Sequence, residues 1–225
     1  MFIPRATATP TPAPRAAPPV TGLPGSAGEH ALQQQRGSVT RARRFYDDQV
    51  LSHLTPEMQQ FLGRTEMLFV ATSDAHGDCD SSIRCGPPGF VAVLEPTRIA
   101  YPEYRGNGVM ASLGNLTENP RVGLLALDLV DDLIGLHVNG DVEVLEDADL
   151  RAQHPTLPSE AVAGRQAECW VVVSVSEAYV HCRKHLPRMV PVDRVRAWGT
   201  DNPVRKGGDH FGAVGQNRPW TEPGH

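Results

Sequence analysis

The sequence predicts a mostly β fold, an antiparallel barrel or sandwich of six or more short strands with a few flanking helices. From Glu66 onward, apolar residues recur with period two or in short runs. Hairpin-length turns separate these runs, and only short stretches carry helical spacing. Strands joined this way become antiparallel neighbours, which close into a barrel or pair into a sandwich.

The elements follow in order. Residues 1 to about 38 hold seven of the 20 prolines in their first 24 positions, with Ala, Thr, Gly and Gln around them. That composition buries too little apolar surface to offset ordering entropy, so an extended arm is expected. Arg41 to Leu54 places Phe45, Tyr46, Val50, Leu51 and Leu54 on one helical face. Thr55-Pro56-Glu57 supplies a hydroxyl cap, a first-turn proline and an early acid, so a second helix runs to Leu62 and stops at Gly63. Met67 to Thr72 and Asp80 to Cys85 form a hairpin about the turn Asp74 to Asp78, and Phe90 to Leu94 pairs with Arg98 to Tyr101. Met110 to Glu118 is a short helix ended by Asn119-Pro120. Val122 to Leu127, Leu133 to Leu145 and Cys169 to Cys182 complete the strands. The expected organisation is an arm over 1–38, a barrel domain over 39–200 and a tail over 201–225.

Composition narrows the function classes. Hydrophobic residues are 40% and charged residues 21% of a 225-residue chain, values of an ordinary globular domain. The apolar run Val122 to Val130 is interrupted by Asp128 and is too short to span a bilayer. Residues 1–44 carry six Arg against one Glu, a balance of +5 within a chain of net charge -5, so the remainder carries -10. A mildly acidic body offers no footprint for nucleic acid, although the basic arm could touch an anionic surface weakly. Cys79, Cys85, Cys169 and Cys182 match neither a metal knuckle nor a disulfide scaffold, and the N-terminal residues lack the apolar core of a secretory signal. Reduced thiols and a cytoplasmic location are expected.

The segment Arg84 to Pro120 carries the chemistry. An arginine at a strand end, a Gly-Pro-Pro-Gly turn and an Arg-Gly-Asn loop opening a helix bring two cations close to a row of unpaired backbone N–H groups, which suits a phosphate dianion. Arg84 stands beside Ser82; Arg105 and Asn107 enter the helix; Ser112 and Asn115 follow within it. His137 and His181 sit on strands, where a packed or hydrogen-bonded histidine is expected, and Asp131-Asp132 and Asp147-Asp149 suit turns. No metal site is expected, and no nucleophile elbow, Walker loop or zinc-protease motif is present.

These residues resemble the pyridoxamine 5'-phosphate oxidase-like, FMN-binding split-barrel family. The resemblance spans about Phe61 to Lys184. It is carried by F-V-A-T-S-D-A-H-G-D at 69–78, S-S-I-R-C-G-P-P-G-F at 81–90, R-G-N at 105–107, S-L-x-N-L-x-x-N-P-R-V-G-L-L at 112–125, H-V-N-G at 137–140 and V-H-C-R-K at 180–184. It implies a six-stranded antiparallel split β-barrel, a homodimer with FMN in a cleft between subunits, and an FMN-dependent oxidoreductase using a small-molecule substrate or electron donor. Ser82, Arg84, Gly86, Arg105, Asn107, Ser112 and Asn115 become the candidate cofactor-binding residues. The strand Leu133 to Leu145 and the segment near Tyr179 are candidate dimer surfaces. Two departures stand out. The parent oxidase has an Arg-Lys pair where this chain has Ala111 and Ser112. Its substrate-holding Trp- and Arg-containing segment is not matched in order by Arg196 and Trp198. Pyridoxamine phosphate is therefore not the expected substrate. The alternative reading is a haem- or deazaflavin-binding or ligand-sensing relative.

Overall fold

A computed structural model describes residues 22–162, 164–192, 197–218 and 220. Five helices and seven strands follow one another: α1 (Ala27–Gln35), α2 (Val39–Gln49), α3 (Pro56–Arg64), β1 (Met67–Ser73), β2 (Cys79–Cys85), β3 (Ala92–Glu95), β4 (Arg98–Tyr104), α4 (Ala111–Glu118), β5 (Arg121–Asp128), β6 (Ile134–Glu146), α5 (Asp147–Gln153) and β7 (Ala167–His181). The mostly β, antiparallel architecture is as expected, with seven strands rather than six.

All seven strands form one sheet in the order β2-β1-β5-β6-β7-β4-β3. β6 and β7 are its spine, 13 and 15 residues long. The amino-terminal half of β6 also pairs with β5, and past a register shift at Asn139/Gly140 its carboxy-terminal half pairs with the amino-terminal half of β7. There the Gly140 backbone lies against Ser174, too close for any side chain at 140. The bulge bends the long ribbon and curls the two halves of the sheet around one core.

Period-two patterning decides what fills that core. Leu68 and Val70 of β1, Val122, Leu124 and Ala126 of β5, Leu136 and Val138 of β6, Ile99 and Tyr101 of β4 and Val171 and Val173 of β7 point inward with Leu54 and Leu62. Tyr101 and Leu62 are wholly buried. The alternate residues Ala100, Trp170 and Val172 face outward but are buried too, under Leu150 of α5 and Leu157. β4 and β7 are thus covered on both faces, which explains their nearly continuous apolar sequence.

Two local expectations are corrected. Residues 27–35, assigned to an extended arm, form α1, because Ser26 and Glu29 cap its amino end reciprocally. Asp147 and Asp149, assigned to a turn, open helix α5, where the Asp147 carboxylate accepts from Arg151 Nε and from Trp170 Nε1. The cap on α3 is as read: the Thr55 hydroxyl accepts from Met58 N–H, with Pro56 in the first turn. Residues 1–21 of the expected arm lie outside the described residues.

Candidate functional site

A cleft of about 610 Å³ opens between β2, the end of β4, and the loop that leads into α4. Ser82 and Arg84 reach it from β2, because alternation puts both on the same face of that strand. Arg105, Asn107 and Ser112 reach it from the loop and the first turn of α4. Two other expected residues lie elsewhere. Gly86 packs against the Phe90 side chain, which leaves no room for a Cβ. Asn115 donates through Nδ2 to Thr72 Oγ1 at 3.1 Å and fastens α4 to β1.

The loop is shaped for close approach of a ligand. Gly108 has φ 83 and Met110, at the N-cap of α4, has φ 56, a region non-glycine residues rarely enter. No side chain caps that end. The first intrahelical bond from the Met110 carbonyl is taken by Gly114 N–H, so the N–H groups of the cleft-lining residues Ala111, Ser112 and Leu113 belong to the first turn, at the positive end of the helix dipole. Asn107 Oδ1 accepts from Val109 N–H at 2.9 Å and holds the loop.

The two arginines are not equivalent. Arg84 is held by Glu103 of β4: its Nε lies 2.8 and 2.9 Å from the two carboxylate oxygens, and one terminal nitrogen is 2.8 Å from Oε1. Its other terminal nitrogen donates to Ser82 Oγ at 2.8 Å. The pair is largely buried, with side chains 18% and 11% exposed. It connects β2 to β4, two strands that share no ladder. Burial pushes the Glu103 carboxyl above its usual range, and the hydrogen bonds and charge of Arg84 oppose that rise. Arg105 is exposed instead and donates to Asp201 at 2.8 Å.

A polar chain runs along the cleft floor: Ser112 Oγ donates to Asp80 Oδ2 at 2.6 Å and lies 2.9 Å from Ser82 Oγ. Just behind it the Tyr101 hydroxyl is buried with no hydrogen-bond partner, and burial with the nearby Glu103 charge pushes its pKa up. Asp80, Glu103, Trp198, Gly199 and Asp201 were not among the expected site residues. Glu103 left a signal, since a lone acid in the strand R-I-A-Y-P-E-Y needs a partner once buried. Asp201 left none.

The donor set fits a phosphate at the α4 end of the cleft through Arg105 and the uncapped helix turn, while the Ser112 and Ser82 protons are engaged with Asp80 and with Ser112. It fits less well at Arg84, whose charge Glu103 already neutralises. The strand histidines are packed as expected, away from this cleft: His137 Nε2 lies 2.9 Å from His181 Nδ1, and His137 stacks on Tyr179 at 4.7 Å. Burial, then the His181 charge, lowers the His137 pKa. Among the described residues no cluster of three or more His, Cys, Asp or Glu could hold a metal ion. Nor is any helix long and apolar enough to cross a membrane.

Similar solved structures include HupZ from Group A Streptococcus (18% identity, 56% of this chain and 91% of that one, TM-score 0.39). A candidate pyridoxamine 5'-phosphate oxidase from Lactobacillus delbrueckii is 25% identical over 57% of this chain and 95% of that one, with TM-score 0.41. HutZ, the haem storage protein from Vibrio cholerae, is 15% identical over 57% and 94%, with TM-score 0.36. A comparison with curated proteins gives no match. The family model described as pyridoxamine 5'-phosphate oxidase matches residues 54–182, more than half of the chain and all seven strands. On the strength of that match, the chain belongs to the pyridoxamine 5'-phosphate oxidase family.

Proposed function

We propose that this chain binds FMN in the cleft and acts as an FMN-dependent oxidoreductase, as a cytoplasmic homodimer, on a substrate other than pyridoxamine 5'-phosphate. One observation carries the reading: Arg105 and the uncapped amino end of α4 converge on one cleft of about 610 Å³. Arg105 supplies the mobile charge, because its pair with Asp201 is exposed on both sides and weakly held. Arg84, fixed by Glu103, donates to Ser82 Oγ and holds that side of the cleft in place. Ile83, Val109, Met110 and Tyr104 line the remaining wall and offer apolar surface to a flavin ring. FMN supplies hydride or single-electron transfer when bound, which asks of the protein binding and orientation rather than a nucleophile.

Exposed Ile83 on the edge strand β2, beside the cleft, supports a second copy as its cover. The segment near Tyr179 is less open than its sequence suggests, since Phe45 of α2 packs edge-on against that ring at 5.9 Å. The substrate reading rests on the C-terminal region. Trp198 lines the cleft, Arg196 lies outside the described residues, and the parent oxidase's substrate-holding order is not reproduced.

The test is an absorption spectrum of the reconstituted protein, followed by FMN titration into wild type and Arg105→Ala. Flavin bands are expected, with affinity lowered about tenfold or more by loss of a charge-assisted contact. Light scattering of the loaded protein is expected to give a dimer. Added pyridoxamine phosphate is expected to yield no pyridoxal phosphate under air. Absence of flavin binding would overturn the cofactor and promote the haem or deazaflavin reading; equal affinity in Arg105→Ala would move the phosphate elsewhere.

A further inference from the structure

Residues 197–201, well beyond the end of β7, return to the cleft mouth. Trp198 and Gly199 line the cleft. The Trp198 ring meets Tyr104 edge-on, with centroids 6.0 Å apart at 82°, and the Arg165 guanidinium lies 5.3 Å from the indole. The Gly199 and Gly164 backbones pack directly: a Cβ on Gly164 would lie 2.5 Å from Gly199 nitrogen, and both glycines have positive φ, 60 and 83. Asp201 Oδ2 then accepts from Arg105 Nη2 at 2.8 Å, with Lys206 Nζ 3.6 Å from its other oxygen.

These attachments are shallow. The Arg105 and Asp201 side chains are 57% and 66% exposed, and the following stretch leaves Val204, Phe211 and Val214 in solvent. Arg165 Nε, next to the Trp198 ring, is buried with no hydrogen-bond partner, a cost that contact with water would relieve. The exposed ion pair between Arg105 and Asp201 gives way far more easily than the barrel does. Asp201 holds the cation that a phosphate at the α4 end would need, and a carboxylate left beside a phosphate dianion would repel it.

We infer that residues 197–201 form a releasable strap over the cleft, in which Asp201 occupies Arg105 until a phosphate-bearing ligand displaces it. This rests on Arg105 being the cation that receives the cofactor phosphate. The strap makes the cleft discriminate by phosphate: a phosphate monoester competes for Arg105 and lifts the strap, while the same ring system without phosphate does not.

Asp201→Asn breaks the latch by charge, and Gly164→Ala blocks docking of the strap by sterics. Each is compared with wild type in two measurements. The first is the affinity for FMN and for riboflavin, read by fluorescence. The second is the rate of tryptic cleavage after Arg205 and Lys206, read by mass spectrometry with and without inorganic phosphate. Asp201→Asn is expected to bind FMN about two- to fivefold tighter, the worth of an exposed ion pair, with riboflavin affinity unchanged. Both variants are expected to be cut faster than wild type, and phosphate to speed the cutting of wild type alone. Where wild type binds FMN, tighter binding and faster cutting are both required, and either alone overturns the strap. Where wild type binds no FMN, the cofactor reading fails separately, and the cutting rates decide: no acceleration in the variants or by phosphate overturns the strap.

Discussion

Replacing Arg84 by Met tests whether the Arg84–Glu103 pair closes the barrel. β2 and β4 have no ladder between them, and this bidentate pair bridges them from inside the cleft. Met keeps the aliphatic body of the side chain and removes its charge, leaving Glu103 at 11% exposure without a cation. Breaking a buried pair from one side costs about 3–5 kcal/mol, and the residual exposure of both groups points to the low end, about 3 kcal/mol. For a domain of this size that is a fall in Tm of roughly 6–12 °C. The loss should also depend on pH. Burial holds the Glu103 carboxyl above its ordinary range even beside Arg84, and removing Arg84 lets it rise further. A carboxyl whose folded pKa exceeds its unfolded one contributes stability below the unfolded value and loses it as pH rises through the folded value. The variant's deficit therefore grows with pH between the two folded values of Glu103, with and without Arg84. Urea unfolding at about pH 5 and about pH 8 reads this out, and the double variant Arg84→Met/Glu103→Gln should recover much of the loss at the higher pH. A deficit under about 1 kcal/mol, or one equal at both pH values, would show that the pair behaves as a solvated surface contact and that barrel closure does not depend on it.

Gly140→Ala should cost about 2–3 kcal/mol, because a Cβ there would overlap the Ser174 carbonyl and lie 2.9 Å from Val173 Cγ1 at the bulge; a thermal melt matching wild type would refute this. Thiol titration of the native protein should label the exposed Cys79 and Cys182 first. Cys169, pushed up to about 11 by burial and then by the charge of Glu103, should react with them only after unfolding, and its appearance in the fast phase would contradict the structure.

The strands were legible because one face of each is buried and the alternation records it, as in Met67 to Thr72 and Val122 to Leu127. The α3 cap was legible because Thr55, Pro56 and Glu57 act within one turn. α1 was hidden by its proline-rich neighbourhood, although Ser26 and Glu29 stand at capping-box spacing. α5 was hidden because Asp147 and Asp149 suit a turn as well as a first helical turn, and the burial of Leu150 that decides between them is tertiary. In the site, sequence located the arginines but not their partners. Glu103 lies 19 positions from Arg84, and Asp201 lies 96 positions from Arg105. Pairings at those distances are set by how the sheet curls and where the chain returns, which no local spacing encodes. Charge by itself therefore found Arg84 without its partner Glu103.

The position of β7 governs when this domain can fold. Among the described strands it is the last to be synthesised, yet it lies inside the sheet between β6 and β4. Until Ala167–His181 has left the ribosome, the sheet exists only as two pieces, β2-β1-β5-β6 and the hairpin β4-β3, each presenting an unpaired edge. Ile99 and Tyr101 have no ladder partner on their inner side before Val171 and Val173 arrive. A nascent chain at this stage exposes core-facing strands and has only non-local pairings still to make, the slow and aggregation-exposed regime of folding. A chain cut within β7 would therefore yield not a smaller barrel but an open pair of sheets awaiting any strand that fits, which makes chaperone occupancy during synthesis a property of this topology rather than of its stability.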